Sequence, residues 1–155
     1  MGTPKPPLRV MLVDDHEVVR GGVKALLQAN DDIVVTAEAG TVRDAIDEAD
    51  RTRPDVVVMD VRLADGSGIE ATREIRAKHP KTAVVMLTSF ADDEALFASI
   101  MAGASGYVLK KAAGVELAAA IRAAGGRSIP ALVTHHRDER LFFSLKRMPR
   151  EPFSL

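Results

Sequence analysis

Apolar and polar positions along the chain follow two rhythms that alternate five times. Runs rich in Val, Leu and Ile near residues 8 to 13, 33 to 39, 55 to 60, 83 to 89 and 105 to 109 have the length and β-branched content of strands. Between them apolar residues recur at helical spacing. Val19, Val23, Leu26 and Leu27 form one stripe, and Val42, Ala45, Ile46 and Ala49 form another. Three further helices are predicted to begin near Gly68, Asp92 and Gly114. The fourth helix carries Asp92, Asp93 and Glu94 in its first turn, where carboxylates suit the macrodipole. Arg53-Pro54 and His79-Pro80 each end a helix, because the residue before Pro is pushed out of the α region. Val56 to Met59 and Ala83 to Leu87 are apolar at every position, as strands buried on both faces are. The pattern predicts an α/β fold, a doubly wound parallel sheet with helices on both faces.

In such a sheet functional groups collect where strands end at their carboxyl edge. Asp14 and Asp15 follow the first apolar run, and Asp60 ends the third. Adjacent strands would bring these three carboxylates into one shallow pocket, where they repel one another unless a cation shares the site. The natural cation is Mg2+, which binds through one or two carboxylates and keeps waters for exchange with phosphate oxygens. Asp60 is the candidate nucleophile, since a carboxylate attacks phosphorus to form an acyl phosphate. Taken alone it reads as a loop cap; with the acid pair it reads as phosphoryl chemistry. Thr88 and Lys110 follow the fourth and fifth runs, offering a hydroxyl to a phosphoryl oxygen and an ammonium to the carboxylate.

Composition narrows the class without changing this picture. Apolar residues at 46% and charged residues at 28% of 155 are ordinary for one globular domain. A formal charge of -1 gives no global field toward nucleic acid or membrane, and the absence of Cys excludes disulfides and thiolate metal sites. No run approaches the roughly 20 apolar residues that span a bilayer, and Met1 to Pro7 lacks a signal peptide's apolar region. The cytoplasm is the expected compartment. His16, His79, His135 and His136 make no convincing metal set; His16 is read as helix-start surface.

Val13-Asp14-Asp15-His16, Asp55 to Asp60, Leu87-Thr88-Ser89 and Gly106 to Lys110 resemble, in this order, the receiver domain of bacterial two-component response regulators. Asp14-Asp15-His16 followed by Arg20, and Gly103 to Tyr107, look most like the subfamily with a LuxR-type output. The resemblance covers about residues 8 to 124. It implies a flavodoxin-like (βα)5 sheet of strand order 2-1-3-4-5. It further implies that Asp60 accepts a phosphoryl group from a sensor histidine kinase. Asp14, Asp15, Asp60 and the Arg62 backbone carbonyl would hold Mg2+; Thr88 and Tyr107 would be the switch pair; Lys110 would be the family's lysine. Self-association as a homodimer, dependent on phosphorylation, is the expected response, in a transcriptional regulator. No enzyme activity is expected beyond transfer to Asp60 and its reversal, and no membrane partner.

Two departures stand beside the resemblance. Lys111 occupies the place where many receivers have Pro, so no cis peptide is assumed there. Residues 1 to 7 read as a disordered arm, and residues 125 to 155 as an irregular tail without a complete helix-turn-helix. Sequence-specific DNA binding by the chain as written is therefore not expected. Leu141-Phe142-Phe143 could pack on the domain or on a second copy. Two other functions fit less well. An aspartyl-phosphate phosphohydrolase would want an acid two residues after its nucleophile, where Arg62 stands. A flavodoxin-like cofactor binder would want Ser, Thr and Gly after the first strand, where Asp14 and Asp15 would repel phosphate. A receiver used only for docking would more often have lost part of the acidic set.

Overall fold

The computed structural model describes residues 5 to 89 and 92 to 127. The expected arm is thus covered only from Lys5, where residues 5 to 7 are exposed and without regular structure. Most of the expected tail, with His135, His136 and Leu141-Phe142-Phe143, lies outside the described residues.

Five parallel strands form the sheet: β1 (Leu8–Val13), β2 (Ile33–Ala39), β3 (Val56–Asp60), β4 (Ala83–Thr88) and β5 (Gly106–Leu109), in the order β2-β1-β3-β4-β5. Five helices alternate with them: α1 (Glu17–Gln28), α2 (Val42–Thr52), α3 (Gly68–Lys78), α4 (Asp93–Met101) and α5 (Val115–Ala124). The strands begin and end within a residue of the apolar runs. The expected sheet order is the observed one. A two-residue antiparallel ladder, Arg62–Leu63 with Gly66–Ser67, follows β3; it is too short to leave a periodic trace in sequence.

Because successive strand side chains point to opposite faces, each strand feeds two cores. Val10, Leu12, Val56, Val58 and Val85 pack with Leu27, Leu117 and Ile121 under α1 and α5. Met11, Val13, Val57, Met59 and Met86 pack with Ala45, Ala71 and Ile75 under α2 and α3, with Leu96 and Ile100 of α4 alongside. Ala45 and Ala49 are small and fully covered, which seats α2 close to the sheet. The α1 stripe is narrower than the sequence suggests. Val23 and Leu27 are buried, but Val19 and Leu26 are 37% and 49% exposed. Their positions flank the arc that touches the sheet, and only that arc is covered.

Polar side chains cap the starts of α2, α3 and α4. Thr41 accepts from Asp44 N at 3.0 Å, Ser67 from Ile69 N at 3.0 Å and Asp92 from Glu94 N at 3.0 Å, each satisfying an orphan amide. Arg53, before Pro54, takes a left-handed conformation with φ 49° and caps α2 through its own N–H to Ala49 O. His79 ends α3 in a non-helical conformation before Pro80.

Candidate functional site

Register builds the site. Val13 pairs with Met59, so the residue after Val13, Asp14, comes level with Asp60. Asp60 pairs with Leu87, which puts Thr88 one step beyond it, and Thr88 pairs with Leu109, which puts Lys110 one step further again. Strand parity then divides the set. Asp60 shares its phase with Val56 and Val58, on the α1/α5 face, whereas Thr88 shares the phase of Val84 and Met86. Tyr107 pairs with Met86 and so lies on the same face as Thr88.

The carboxylates and the lysine meet closely. Lys110 Nζ lies 3.0 Å from Asp60 Oδ2 and 3.1 Å from Asp14 Oδ2. The contact with Asp60 is a hydrogen bond, and the one with Asp14 is an ion pair. Asp14 Oδ1 accepts from His16 N at 2.8 Å, a local turn that fixes the acid pair. Asp60 Oδ1 receives a longer contact, 3.3 Å, from Arg62 N. Asp14 and Asp60 are almost fully buried, while Asp15 keeps 22% of its side chain in solvent.

Burial pushes the Asp60 carboxyl above the ordinary value, with the neighbouring Asp14 charge adding to the rise; the Lys110 hydrogen bond and charge pull only part of the way back. For Lys110, burial works against the ammonium. Its contacts with Asp60 and Asp14 outweigh burial and hold it above the usual lysine range. One cation facing two buried carboxylates thus leaves the pocket short of positive charge.

Of the residues expected at the site, Asp14, Asp60 and Lys110 are in contact, Asp15 lies beside Asp14, Arg62 meets Asp60 through its backbone N–H, and register sets Thr88 one step beyond Asp60. Tyr107 is 1% exposed and turned inward. Its hydroxyl is near enough to Thr88 to feel it, yet completes no hydrogen bond, and burial holds it above the usual phenol range. Three contributions escaped sequence reasoning. Arg20 donates from Nη1 to the Asp14 carbonyl at 2.6 Å while its Nε holds Glu38 at 3.0 Å, tying α1 and β2 to the acid turn. Gly68 packs so tightly on the strand end that a Cβ there would meet Asp60 O at 1.9 Å. His16, read as plain surface, turns its ring toward the acids, with Nδ1 2.9 Å from Asp15 Oδ1. The spacing of Arg20 four residues after His16 was the one available signal, since it sets both on one side of the start of α1.

The donor set suits a divalent cation. Asp14 Oδ2 and Asp15 Oδ1 are buried atoms that complete no hydrogen bond. Donor atoms of Asp14, Asp15, His16 and Asp60 lie within 4.8 Å of one another. The two buried oxygens each have one cationic or imidazole neighbour, Lys110 at 3.1 Å and His16 at 2.9 Å respectively, and carboxylate oxygens converging in a pocket short of positive charge are what a hard cation requires.

Comparison with known proteins agrees with this geometry. The family model of the response regulator receiver domain matches residues 10–122. The chain is 49% identical over 123 residues to the DNA-binding transcriptional activator DevR/DosR of Mycobacterium tuberculosis, a match covering 79% of this chain and 57% of that protein. It is 44% identical over 131 residues to the uncharacterized transcriptional regulatory protein YxjL of Bacillus subtilis, covering 84% and 60% respectively. The chain thus spans little more than half the length of these curated relatives. Among solved structures, a LuxR-family two-component response regulator from Aurantimonas sp. SI85-9A1 superposes with a TM-score of 0.74 at 37% identity, covering 86% of this chain and 98% of that one. No helix among the described residues is long and apolar enough to cross a membrane. With sheet order, acid pocket and relatives in agreement, the chain belongs to the receiver domain family of two-component response regulators, whose general function is phosphorylation-dependent signalling.

Proposed function

We propose that Asp60 is the phosphoryl acceptor of this receiver and that the domain takes its phosphoryl group from the phosphohistidine of a sensor histidine kinase. The observation that carries this reading is the Asp60 environment: a carboxylate 6% exposed, raised in basicity and held by Lys110 at the end of β3. In the transfer one Asp60 oxygen forms a bond to phosphorus as the phosphorus–nitrogen bond of the donor breaks, and the electron pair leaves with the imidazole. Asp14, Asp15, Asp60 and the Arg62 carbonyl would hold Mg2+, which when bound supplies the positive charge that lets an anionic donor approach three carboxylates. Arg62 itself projects outward and exposed, and offers no acid for turnover of an outside substrate. The domain is a signalling element, and the only chemistry assigned to it is its own phosphorylation and dephosphorylation.

Acyl phosphate formation replaces a single charge by about -2 and adds acceptor oxygens. Lys110 then exchanges part of its carboxylate contact for the phosphoryl group, and the Thr88 hydroxyl moves to donate to it. Tyr107 is already buried and turned inward beside this strand end, so the move of Thr88 changes the packing around it, and the face of α4, β5 and α5 changes with it. To reverse a 1:99 population, phosphorylation must favour the active state by about 5.5 kcal/mol. Two or three charge-assisted hydrogen bonds at roughly 1.5 to 3 kcal/mol each supply that much. The readout is self-association as a homodimer, within a cytoplasmic regulator of transcription; relatives named as transcription regulators support that role.

Incubation with acetyl phosphate, with and without Mg2+, followed by intact mass under acid conditions, tests the reading. The wild-type chain should gain one phosphoryl group only with Mg2+, and Asp60→Asn none. An equal gain in Asp60→Asn would refute it.

A further inference from the structure

His16 occupies the N-cap of α1, a position that favours Ser, Thr, Asp or Asn because their oxygens bond the free amides of the first turn. Its side chain makes no cap hydrogen bond. The ring is instead turned over the acids, with Nδ1 2.9 Å from Asp15 Oδ1 and 3.5 Å from Asp14 Oδ1, although 70% of the side chain remains in solvent. The backbone N–H of the same residue donates to Asp14 Oδ1, so one turn sets both the acids and the imidazole. Asp14 is 5% exposed; its Oδ2 pairs with Lys110 at 3.1 Å without completing a hydrogen bond, and one of its oxygens lies within 4.8 Å of donor atoms of Asp15, His16 and Asp60.

We propose that His16 supplies a nitrogen ligand to a divalent cation in this pocket, so that the site prefers borderline first-row cations such as Co2+ over Mg2+ by more than its carboxylates alone would give. The inference rests on the reading of the pocket as a cation site for phosphoryl transfer. Mg2+ is satisfied by oxygen donors and keeps its waters. A neutral imidazole adds little for it, but favours Mn2+, Co2+ or Zn2+ increasingly along the first-row series. The donor atoms of Asp14, Asp15, His16 and Asp60, within 4.8 Å of one another, can close on one ion with side-chain adjustments alone, and an exposed ring has the freedom to make them. A histidine serving only as a solvated ion-pair partner of Asp15 would make no distinction between cations.

The test is competitive calorimetry with Co2+ and Mg2+ on the whole chain, counting only Co2+ that Mg2+ displaces, so that binding at His79, His135 or His136 is set aside. The variants are His16→Asn, which restores a favoured cap residue, and His16→Ala. Loss of an outer-shell partner alone costs a metal site roughly tenfold in affinity, so loss of a direct ligand should weaken Co2+ by about tenfold or more. Mg2+ affinity should change less than about threefold, and both variants should behave alike. An unchanged ratio of Co2+ to Mg2+ affinity, whether neither ion or both weaken, overturns the role of His16 and leaves the cation site standing. Absence of any Mg2+-displaceable Co2+ in the wild-type chain overturns the cation site itself.

Discussion

Asp60 is held between opposing influences, and their balance can be read from pH. Its carboxyl is raised because burial and the Asp14 charge outweigh Lys110. A group whose folded value lies above its unfolded one binds its proton more tightly in the folded state. Ionised Asp60 therefore costs the metal-free fold stability at neutral pH, and the cost is recovered as pH falls through the raised value toward 3.8. Asp60→Asn removes it. The variant should melt above the wild type at pH 7 without metal, with the gap closing on acidification; a gap that widened in acid would mean the carboxylate is favoured by the fold. Lys110 gives a second test at this scale. Its ammonium occupies the space between Asp60 and Asp14 at 3.0 and 3.1 Å, where a cation's charge would fall. Lys110→Ala should bind Mg2+ at least as tightly as the wild type in a calorimetric titration, while losing the oligomeric response to phosphorylation in light scattering. Weaker Mg2+ binding would show that the lysine orders the carboxylates rather than competing with the cation.

Strand ends were legible in the sequence because apolar runs stop sharply at polar residues, and parallel register then leaves little freedom in where Asp14, Asp60, Thr88 and Lys110 meet. Parity was also available: Thr88 and Tyr107 share a face because each sits in phase with core residues on the α2 to α4 side. The close approach of α3 to β3 was not legible. Gly68 was read only as the start of a helix, yet its missing side chain lets α3 begin against the Asp60 carbonyl, with Gly68 N donating to Val61 O at 2.8 Å. A methyl at 1.9 Å from a backbone oxygen cannot be absorbed by a rotamer change. Gly68→Ala should lose about 1–3 kcal/mol in urea unfolding, the usual cost of overpacking. It should also slow phosphorylation, because the strand end carrying Asp60 has to move. Unchanged stability would mean that α3 tilts away freely. Arg20 and His16 were hidden for a related reason. A long or aromatic polar side chain at a helix start has solvent open to it, and sequence carries no record of which way it turns.

At the scale of the molecule, two cores share one sheet, and the two halves of the site belong to different cores. Asp60 stands in phase with the α1/α5 core, Thr88 and Tyr107 with the other. In the proposed switch a phosphoryl group on Asp60 would act across the sheet edge, with Tyr107 carrying its effect toward the α4 face. The fold class and sheet order were readable because alternation of element types constrains a parallel sheet strongly. The width of each helix's buried arc was not, as Val19 and Leu26 show, since periodicity gives the direction of a face but not how far a neighbour covers it. Everything assigned to the site depends on which of three converging carboxylates takes the phosphoryl group. The direct measurement is to phosphorylate the chain with acetyl phosphate and Mg2+, trap the acyl phosphate by borohydride reduction, and sequence the peptides by mass spectrometry. The reduced residue, homoserine, is expected at position 60 and nowhere else; homoserine at position 14 or 15 would contradict the assignment of Asp60 as acceptor.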